Sequence, residues 1–462
     1  FGRLYVDSSD SKLYFMDDAG TPHDLTATGT GSSLWTQSGT NIYYNNGDVG
    51  IGTDSPNSKL NVEGGGITVG NTLQMGKSHS RVPKNNIITT VDSYGDVGAY
   101  SSITIGVDGL PIISYFDHTN DDLKVAHCND ATCTTSTITI LDNDIGDVPD
   151  NSGVVSSGMR TSIAIGVDGL PIISYYHPNN GDLQVVHCGD RYCSSSNTIA
   201  NIDSPSRLGG LYNSIAIGVD GLPIISYYEY YTIGEWGELQ VVHCGDRYCS
   251  SGNVITTLDS LNNVGTYTSI TIGADGLPII SYYYVLGLDL KVAHCGNIYC
   301  NSGNTITVVA SYSMTGAVGG YSSITIGVDG LPIMSYYDYT SASLKVTHCG
   351  NIYCNSGNTM TNLDPNIGFV GSKTSSSITI GVDGLPIISY RDNTIAHCSN
   401  TACTSAILTT IYSIGEVGSY SSITIGVDGL PIISSYDETN GYNNLKVIQC
   451  SNEYCLPYWT RR

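Results

Sequence analysis

From about residue 86 onward, the apolar letters fall in short runs of Ile, Val, Leu and Tyr. They alternate with Ser and Thr and are broken by Gly, Asp, Asn and Pro. A period of two with such punctuation predicts β-strands, and no stretch keeps a helical period over three turns. One phrase, SITIGVDGLPIISY at residues 102–115, returns nearly unchanged six more times. Its Asp-Gly pair falls at Asp108, Asp168, Asp220, Asp275, Asp329, Asp383 and Asp428, at intervals of 45 to 60 residues. Repeats of that size in an all-β chain predict the blades of a propeller.

Each unit reads as four strands. Strand A (SITIGV) leads through the Asp-Gly turn, a tight-hairpin signal, into strand B (LPIISY). A variable segment precedes strand C (LKVAHC or LQVVHC), and a Cys-x4-Cys turn leads to strand D, such as residues 304–309. Seven A, B and C strands are counted, but the first D-type strand, residues 86–92, precedes the first A strand, and the last unit has no D of its own. The N-terminal strand is therefore expected to complete the last blade and close the ring, which leaves no long edge open. The expected fold is all-β: a seven-bladed β-propeller over residues 84–458, a β-rich stem or assembly segment over 1–83, and a short tail over 459–462.

The cysteines sharpen this picture. All 14 fall into seven pairs: Cys128 with Cys133, Cys188 with Cys193, Cys244 with Cys249, Cys295 with Cys300, Cys349 with Cys354, Cys398 with Cys403, and Cys450 with Cys455. An even set at one fixed spacing reads as local disulfides in an oxidising compartment. The rival reading is metal: His127, His187, His243, His294, His348 and His397 each precede the first cysteine, with Gln449 in the seventh unit. His-Cys-x4-Cys offers three zinc ligands, but no fourth recurs. The plainer role for these histidines is hydrogen bonding within the blade.

Strand direction sorts the connections. The A–B and C–D turns share one face and scarcely vary, while the B–C segments and D–A links share the other and vary widely. Variable loops on a rigid scaffold are where recognition is expected. At the mouth of the channel on that face, two residues before the repeated Ser of strand A, stand Tyr100, Arg160, Tyr212, Tyr267, Tyr321, Ser375 and Tyr420. This ring is a candidate aromatic collar with one anion anchor, or else simple packing between blades. The longest B–C segment adds Tyr230, Tyr231 and Trp236. The chain holds 34 Tyr against 4 Phe, a bias that suggests surface contact. Asp142, Asp144 and Asp147 are loosely spaced as in a calcium loop, without a distal Glu. Calcium is the one cofactor considered, and turn capping is the alternative.

Charge narrows the partners. The net charge of −23 and the absence of a basic stripe argue against nucleic acid, and no run reaches the about 18 apolar residues of a membrane helix. The chain opens at Phe1 with neither an initiator Met nor a signal-peptide pattern, which points to a processed or truncated product.

Residues 42–64, IYYNNGDVGIGTDSPNSKLNVEG, carry a different signal. Gly47, Val49, Gly50, Ile51, Gly52, Thr53, Ser55, Pro56, Lys59, Leu60 and Val62 resemble a signature found before β-rich stems of phage tail fibres and large bacterial surface proteins. The blade units resemble D-x-x-G-x-P-x-I-S-Y-Y-D repeats of secreted bacterial proteins without an assigned activity. The resemblance implies an extracellular location on a cell-surface or virion-surface appendage, with self-association through residues 1–83 as a trimer or filament. On this reading the expectation is a non-enzymatic adhesin or receptor-binding head that takes a glycan or cell-surface protein on the variable face. The alternatives are a structural subunit of an extracellular filament and a glycan-degrading enzyme of sialidase-like type. For the last, the S-x-D-x-G-x-x-W box is unmatched, and of the arginines on the variable face Arg160 and Arg207 fall in neighbouring blades while Arg391 is several blades away.

Overall fold

The computed structural model describes residues 85–456 apart from 147–159, 203–207, 232–235, 262, 366, 368–374, 392, 412–416 and 439–442, together with strands within residues 3–62. The chain divides into two compact units, Phe1–Arg81 and Val82–Arg462. The first holds a three-stranded antiparallel sheet (Arg3–Val6, Leu13–Met16, Pro22–Asp24), a hairpin of Trp35–Ser38 with Asn41–Tyr44, and a parallel pair, Val49–Ile51 with Leu60–Val62. The last pair lies within the fibre-like signature.

The second unit is a seven-bladed β-propeller of four-stranded antiparallel sheets. In the first blade the strands are Val97–Ile105 (A), Pro111–Asp117 (B), Asp122–Cys128 (C) and Ser136–Asp142 (D). The seventh consists of Val417–Ile425, Pro431–Asp437, Asn444–Gln449 and, as its outer strand, Ile87–Asp92 from the N-terminal side. Strands B and C are almost wholly buried, while strand D alternates half-buried and exposed residues. Packing between blades on both faces of the central strands accounts for their near-continuous apolar sequence.

The repeated Ser-Ser of strand A closes the ring. Strand A has no sheet neighbour on its inner side, so its N–H groups need another acceptor. The amides of Ile103, Ile163, Ile215, Ile270, Ile324, Ile378 and Ile423 donate to Ser422, Ser102, Ser162, Ser214, Ser269, Ser323 and Ser377 of the neighbouring blades, at 3.1–3.3 Å. The preceding residue bonds the strand B serine next door, as in Ser101–Ser434 at 2.9 Å and Ser174 to Asn213 at 2.7 Å. The phrase is thus repeated because both of its serines are junction residues.

All seven disulfides are formed: Cys128–Cys133, Cys188–Cys193, Cys244–Cys249, Cys295–Cys300, Cys349–Cys354, Cys398–Cys403 and Cys450–Cys455. No cysteine is free, and among the described residues no group of His, Cys, Asp and Glu is placed to hold a metal. The zinc alternative is set aside, since each sulfur is spent on its partner. The Cys-x4-Cys segment is the turn into strand D, as its spacing predicts, and the structure adds its backbone conformation. Cys133, Cys193, Cys249, Cys300, Cys354, Cys403 and Cys455 lie inside the turn, outside any strand, at left-handed φ of +51° to +53°. The cause is a tight backbone closure. The amide of each donates to the carbonyl three residues earlier, as Cys193 to Asp190, Cys249 to Asp246, Cys300 to Asn297 and Cys354 to Asn351, all at 3.0 Å. The chain must then reverse at the cysteine itself before strand D can begin.

The six histidines sit 2.8–3.2 Å from the Asp of their own blade's Asp-Gly turn, from Asp108 to Asp383. In the seventh blade Gln449 donates to Asp428 at 2.8 Å. A strand C side chain thus lies beside the Asp of the A–B turn in every blade, and in the second, fourth, fifth and seventh it is hydrogen-bonded to it.

The turn between the cysteines has its own anchor. Asp190 accepts from the amides of Tyr192 and Ser194 and from the hydroxyls of Ser194 and Ser195, at 2.8–3.1 Å. Burial pushes its carboxyl up, but the Ser194 amide, the two hydroxyls and the Tyr192 amide outweigh it and hold the acid down to about 2. Asp130 and Asp246 are lowered in the same way. A folded-state value below the unfolded one, about 3.9, gives stability that is complete above about pH 4 and lost as pH falls through about 2. The unfolding temperature should therefore drop over that window. Asp190→Asn, matching Asn297 of the fourth blade, should flatten the profile; an unchanged acid limb in that variant would remove Asp190 from the account.

Among the described residues about half of the tyrosines are buried, a share of the surplus that serves packing rather than the surface contact expected from composition. Tyr115, Tyr175, Tyr227, Tyr228, Tyr282 and Tyr336 are fully buried. Buried phenols need partners. Tyr115 donates to Asp92 at 2.7 Å, Tyr175 to Asp142 at 2.6 Å, and Tyr282 to Asp259 at 2.8 Å, each reaching the outer strand of the preceding blade.

Candidate functional site

The collar forms at the channel mouth because strand A is bulged where it begins. Pairing of A with B shifts register there in the first, third, fourth, fifth and seventh blades. Gly98, Gly210, Gly265 and Gly319 take φ of +102° to +110°; a Cβ on Gly98 would stand 2.7 Å from the Cα of Leu445 in the neighbouring blade. Two residues later Tyr100, Tyr212, Tyr267, Tyr321 and Tyr420 all adopt left-handed φ of +54° to +56°. Such a conformation costs a bulky residue about 1–2 kcal/mol, and the next blade secures it. Thr161 donates to the Tyr100 carbonyl, Ser322 to that of Tyr267 and Ser376 to that of Tyr321. This geometry brings the rings together: Tyr100–Tyr420 centroids are 4.3 Å apart, Tyr212–Tyr267 4.7 Å and Tyr267–Tyr321 4.2 Å.

Arg160 occupies the same ring position in the second blade. Its guanidinium lies 5.7–5.9 Å from the ring centres of Tyr212, Tyr267 and Tyr321, and so reaches across the mouth. Tyr100, Tyr212 and Tyr321 are buried; Tyr267 and Tyr420 are half-buried. Burial first, and then contact with Tyr420 or Tyr267, pushes the Tyr100 and Tyr321 phenols far above their usual range despite the opposing guanidinium. Beneath the collar lies a cavity of about 140 Å³ walled by Arg160 and the hydroxyl groups of strand A, with Ser375 at the sixth-blade position.

A second constellation stands on the same face, in the third blade. Residues 228–238, expected to be a loop, are mostly strand: B runs Pro223–Tyr231 and C runs Trp236–His243. Their register sets Tyr231 opposite Trp236, Glu229 opposite Glu238 and Tyr227 opposite Gln240, all on one side of the hairpin. Tyr231 and Trp236 stack at 4.3 Å with planes 13° apart, and both are half-buried. Tyr231 donates to Glu238 at 2.9 Å. The Gln240 amide lies 2.8 Å from a Glu229 oxygen and 3.5 Å from a Glu238 oxygen. Glu229 is buried and Glu238 half-buried.

Comparison between blades shows what is particular here. The position of Gln240 is Lys124, Lys291, Lys345 and Lys446 in the first, fourth, fifth and seventh blades. Lys124 sits 2.5 Å from Asp117, Lys291 2.9 Å from Asp259 and Lys446 3.5 Å from Asp437, and Lys345 pairs with Asp338. The second and third blades hold an amide there instead, Gln184 and Gln240; Gln184 accepts from Tyr175, whereas Gln240 links two facing carboxyl groups.

The remaining sequence candidates do not converge. Asp142 accepts from Tyr175 and lies 3.8 Å from His177; Asp144 is exposed, and its amide donates to Asp122. Asp147 and Arg207 lie outside the described residues. Arg391 lies near Tyr337, away from Arg160 in the ring. Tyr230 is half-buried, with its centroid 6.2 Å from Tyr228. Glu229, Glu238 and Gln240 were missed in the sequence. Their signal is the mirror symmetry of E-x-Y and W-x-E about the centre of YEYYTIGEWGE, which is what a hairpin with facing pairs requires.

No family model and no curated protein matches the chain. Among solved structures, it is similar to an α-L-arabinofuranosidase from Fusarium graminearum at 12% identity and TM-score 0.44, covering 63% of this chain and 92% of that one. It is also similar to a polysaccharide lyase at 9% identity and TM-score 0.48, covering 78% and 90%. A sialidase from Trypanosoma rangeli matches at 14% identity and TM-score 0.40, covering 80% and 58%. The expectation of a non-enzymatic chain is corrected accordingly: the propellers it resembles include glycoside-processing enzymes. The likeness is one of fold, so the particular activity is argued from this chain's own residues.

Proposed function

We propose that the protein is a glycan-degrading propeller that cleaves glycosidic bonds on its hairpin face, with Glu229 and Glu238 as the acid pair. The observation that carries this reading is the facing of two carboxyl groups across one hairpin, linked by Gln240 and bordered by the Tyr231–Trp236 stack. Glycoside hydrolysis needs two carboxyl groups on opposite sides of the scissile bond, and an aromatic surface suits the C–H face of a sugar ring. The half-buried Glu238 gives its proton to the leaving oxygen as the C–O bond breaks. Glu229 takes a proton from the water whose oxygen bonds the anomeric carbon, and the pair is restored by proton exchange with solvent. Gln240 fixes the spacing of the two, and the Tyr231 hydroxyl orients Glu238. The seven disulfides support placing the activity in an oxidising, extracellular setting.

The test is reducing-end release from a panel of neutral and acidic polysaccharides. Wild-type protein should depolymerise at least one. Glu238→Gln and Glu229→Gln should each lower kcat by about 10²-fold or more while leaving the melting curve in place. No release from any member, or variants as active as wild type, would sink the assignment.

A further inference from the structure

We infer that the collar at the channel mouth is a binding site for a carboxylate, held side-on by Arg160, and that its ligand is an acidic saccharide of the uronate type. The site is separate from the Glu229–Glu238 pair. It goes beyond the proposed activity by naming a charged group that the bound glycan presents to the axis of the propeller.

Three observations carry it. The first is the state of the guanidinium. Arg160 Nε and Nη2 are buried, and neither has a hydrogen-bond partner. Among the described residues no carboxylate lies within ion-pair distance of this side chain, whereas Lys124, Lys291, Lys345 and Lys446 each have one. Leaving a buried charged donor unpaired is costly, which marks a position kept for something that arrives.

The second is which atoms are left over. In a guanidinium the Nε–H lies on the same side as Nη2, away from Cδ. Those two N–H groups are parallel and match the spacing of two carboxylate oxygens. Tyr212, Tyr267 and Tyr321 surround the cation at 5.7–5.9 Å; contact with ring faces supports the positive charge without consuming in-plane donors.

The third is the surroundings. Arg160 is one wall of the 140 Å³ cavity, whose other walls are Tyr100, Tyr420 and the Ser, Thr and Asn side chains of strand A, with no acid among them. Neutral hydroxyls beside a cation and aromatic rims suit a ligand with one negative group and several hydroxyls of its own.

The inference is tested by calorimetric titration of the Glu238→Gln protein, which should not turn ligand over, with D-glucuronate, D-glucose and acetate. Glucuronate should bind saturably, glucose should not, and acetate should bind more weakly than glucuronate. Adding Arg160→Gln should weaken glucuronate at least about tenfold, the worth of one charge-assisted hydrogen bond. Arg160→Lys, which keeps charge and much of the volume but loses the fork, should weaken it similarly and guards against misfolding in the first variant. Equal binding of glucose and glucuronate, no glucuronate binding, or undiminished binding in a folded Arg160→Lys protein would overturn the carboxylate site. Acetate as tight as glucuronate would overturn the saccharide. Because binding is read in a hydrolysis-deficient variant, intact hydrolysis with no uronate binding fails this inference alone. Uronate binding without any hydrolysis fails only the proposed activity.

Discussion

Complete reduction of the seven disulfides is expected to unfold the propeller at room temperature. Each bridge closes a loop of six residues, which in the chain-entropy account contributes about 2 kcal/mol. Seven of them sum to the order of the entire stability of an ordinary domain, roughly 5–15 kcal/mol. Two local features add to the loss. Every cysteine is buried within the apolar clusters of the blades, so reduction places two thiols where one bridge fitted. The second cysteine of each pair (Cys133, Cys193, Cys249, Cys300, Cys354, Cys403 and Cys455) is held at a disfavoured φ of +51° to +53° by the backbone closure of its turn, and without the bridge that closure has one fewer tie to hold it. Burial also sets the kinetics. A phosphine reductant without denaturant should act slowly, at the rate of local opening, and loss of far-UV circular dichroism should track the appearance of free thiols. A fully reduced protein that still melts cooperatively within a few degrees of the oxidised one would show that the bridges decorate a core sufficient without them. Cys398→Ser with Cys403→Ser removes one bridge and should cost about 2 kcal/mol, which tests the per-bridge figure separately.

The parts of this fold legible in the sequence are those written by repetition. Asp-Gly turns, Cys-x4-Cys pairs and the displaced first D strand each follow from local rules, and seven copies leave little ambiguity. What repetition concealed is chemistry between blades. Ser102 and its six counterparts look like ordinary strand residues until the inner edge of strand A is seen to need acceptors. The left-handed Tyr100 and its counterparts were hidden because Tyr favours strands, and nothing local marks a bulge except a glycine two residues before. The left-handed second cysteines were hidden likewise, because a pairing pattern carries no backbone angle. The pairing of Tyr115 with Asp92 joins different blades and has no sequence signature.

The candidate site was half legible for the same reason. Arg160 stood out as the one cation in a ring position filled by tyrosine in five blades and by Ser375 in the sixth. Glu229 and Glu238 did not, because a long variable segment reads as loop, and only the observed register turns nine residues of separation into a facing pair. Departures from the repeat mark the proposed sites: an arginine where five blades have tyrosine, and a facing pair of glutamates beside Gln240. A repeat architecture supplies its own control, since each such departure can be judged against equivalent positions in the same molecule.

Deleting residues 87–92 is expected to open the ring at one seam. This strand pairs with Asn444–Gln449 through Ile87, Ile88, Thr89, Thr90 and Asp92, and without it the seventh blade presents an unpaired edge. Roughly five or six lost ladder bonds, at a net 0.5–1.5 kcal/mol each, come to about 5 kcal/mol. The deletion also removes Asp92, the acceptor of the buried Tyr115 hydroxyl at 2.7 Å and a neighbour of Lys124 at 3.6 Å, so the damage crosses into the first blade. Asn86 spans the same seam, donating to the Cys455 carbonyl and accepting from the Ser451 amide, and it loses its anchor. Limited proteolysis should then cut within the seventh blade first. Calorimetry should show a lower and broader transition, because the neighbours of an open seam can melt ahead of the rest. A synthetic peptide of residues 84–94 added in excess should restore part of the lost stability by occupying the vacant edge. A deletion variant with the melting temperature and protease resistance of the intact chain would mean that six blades and three strands hold themselves closed. The ring would then depend on its inner serine bonds rather than on the N-terminal strand.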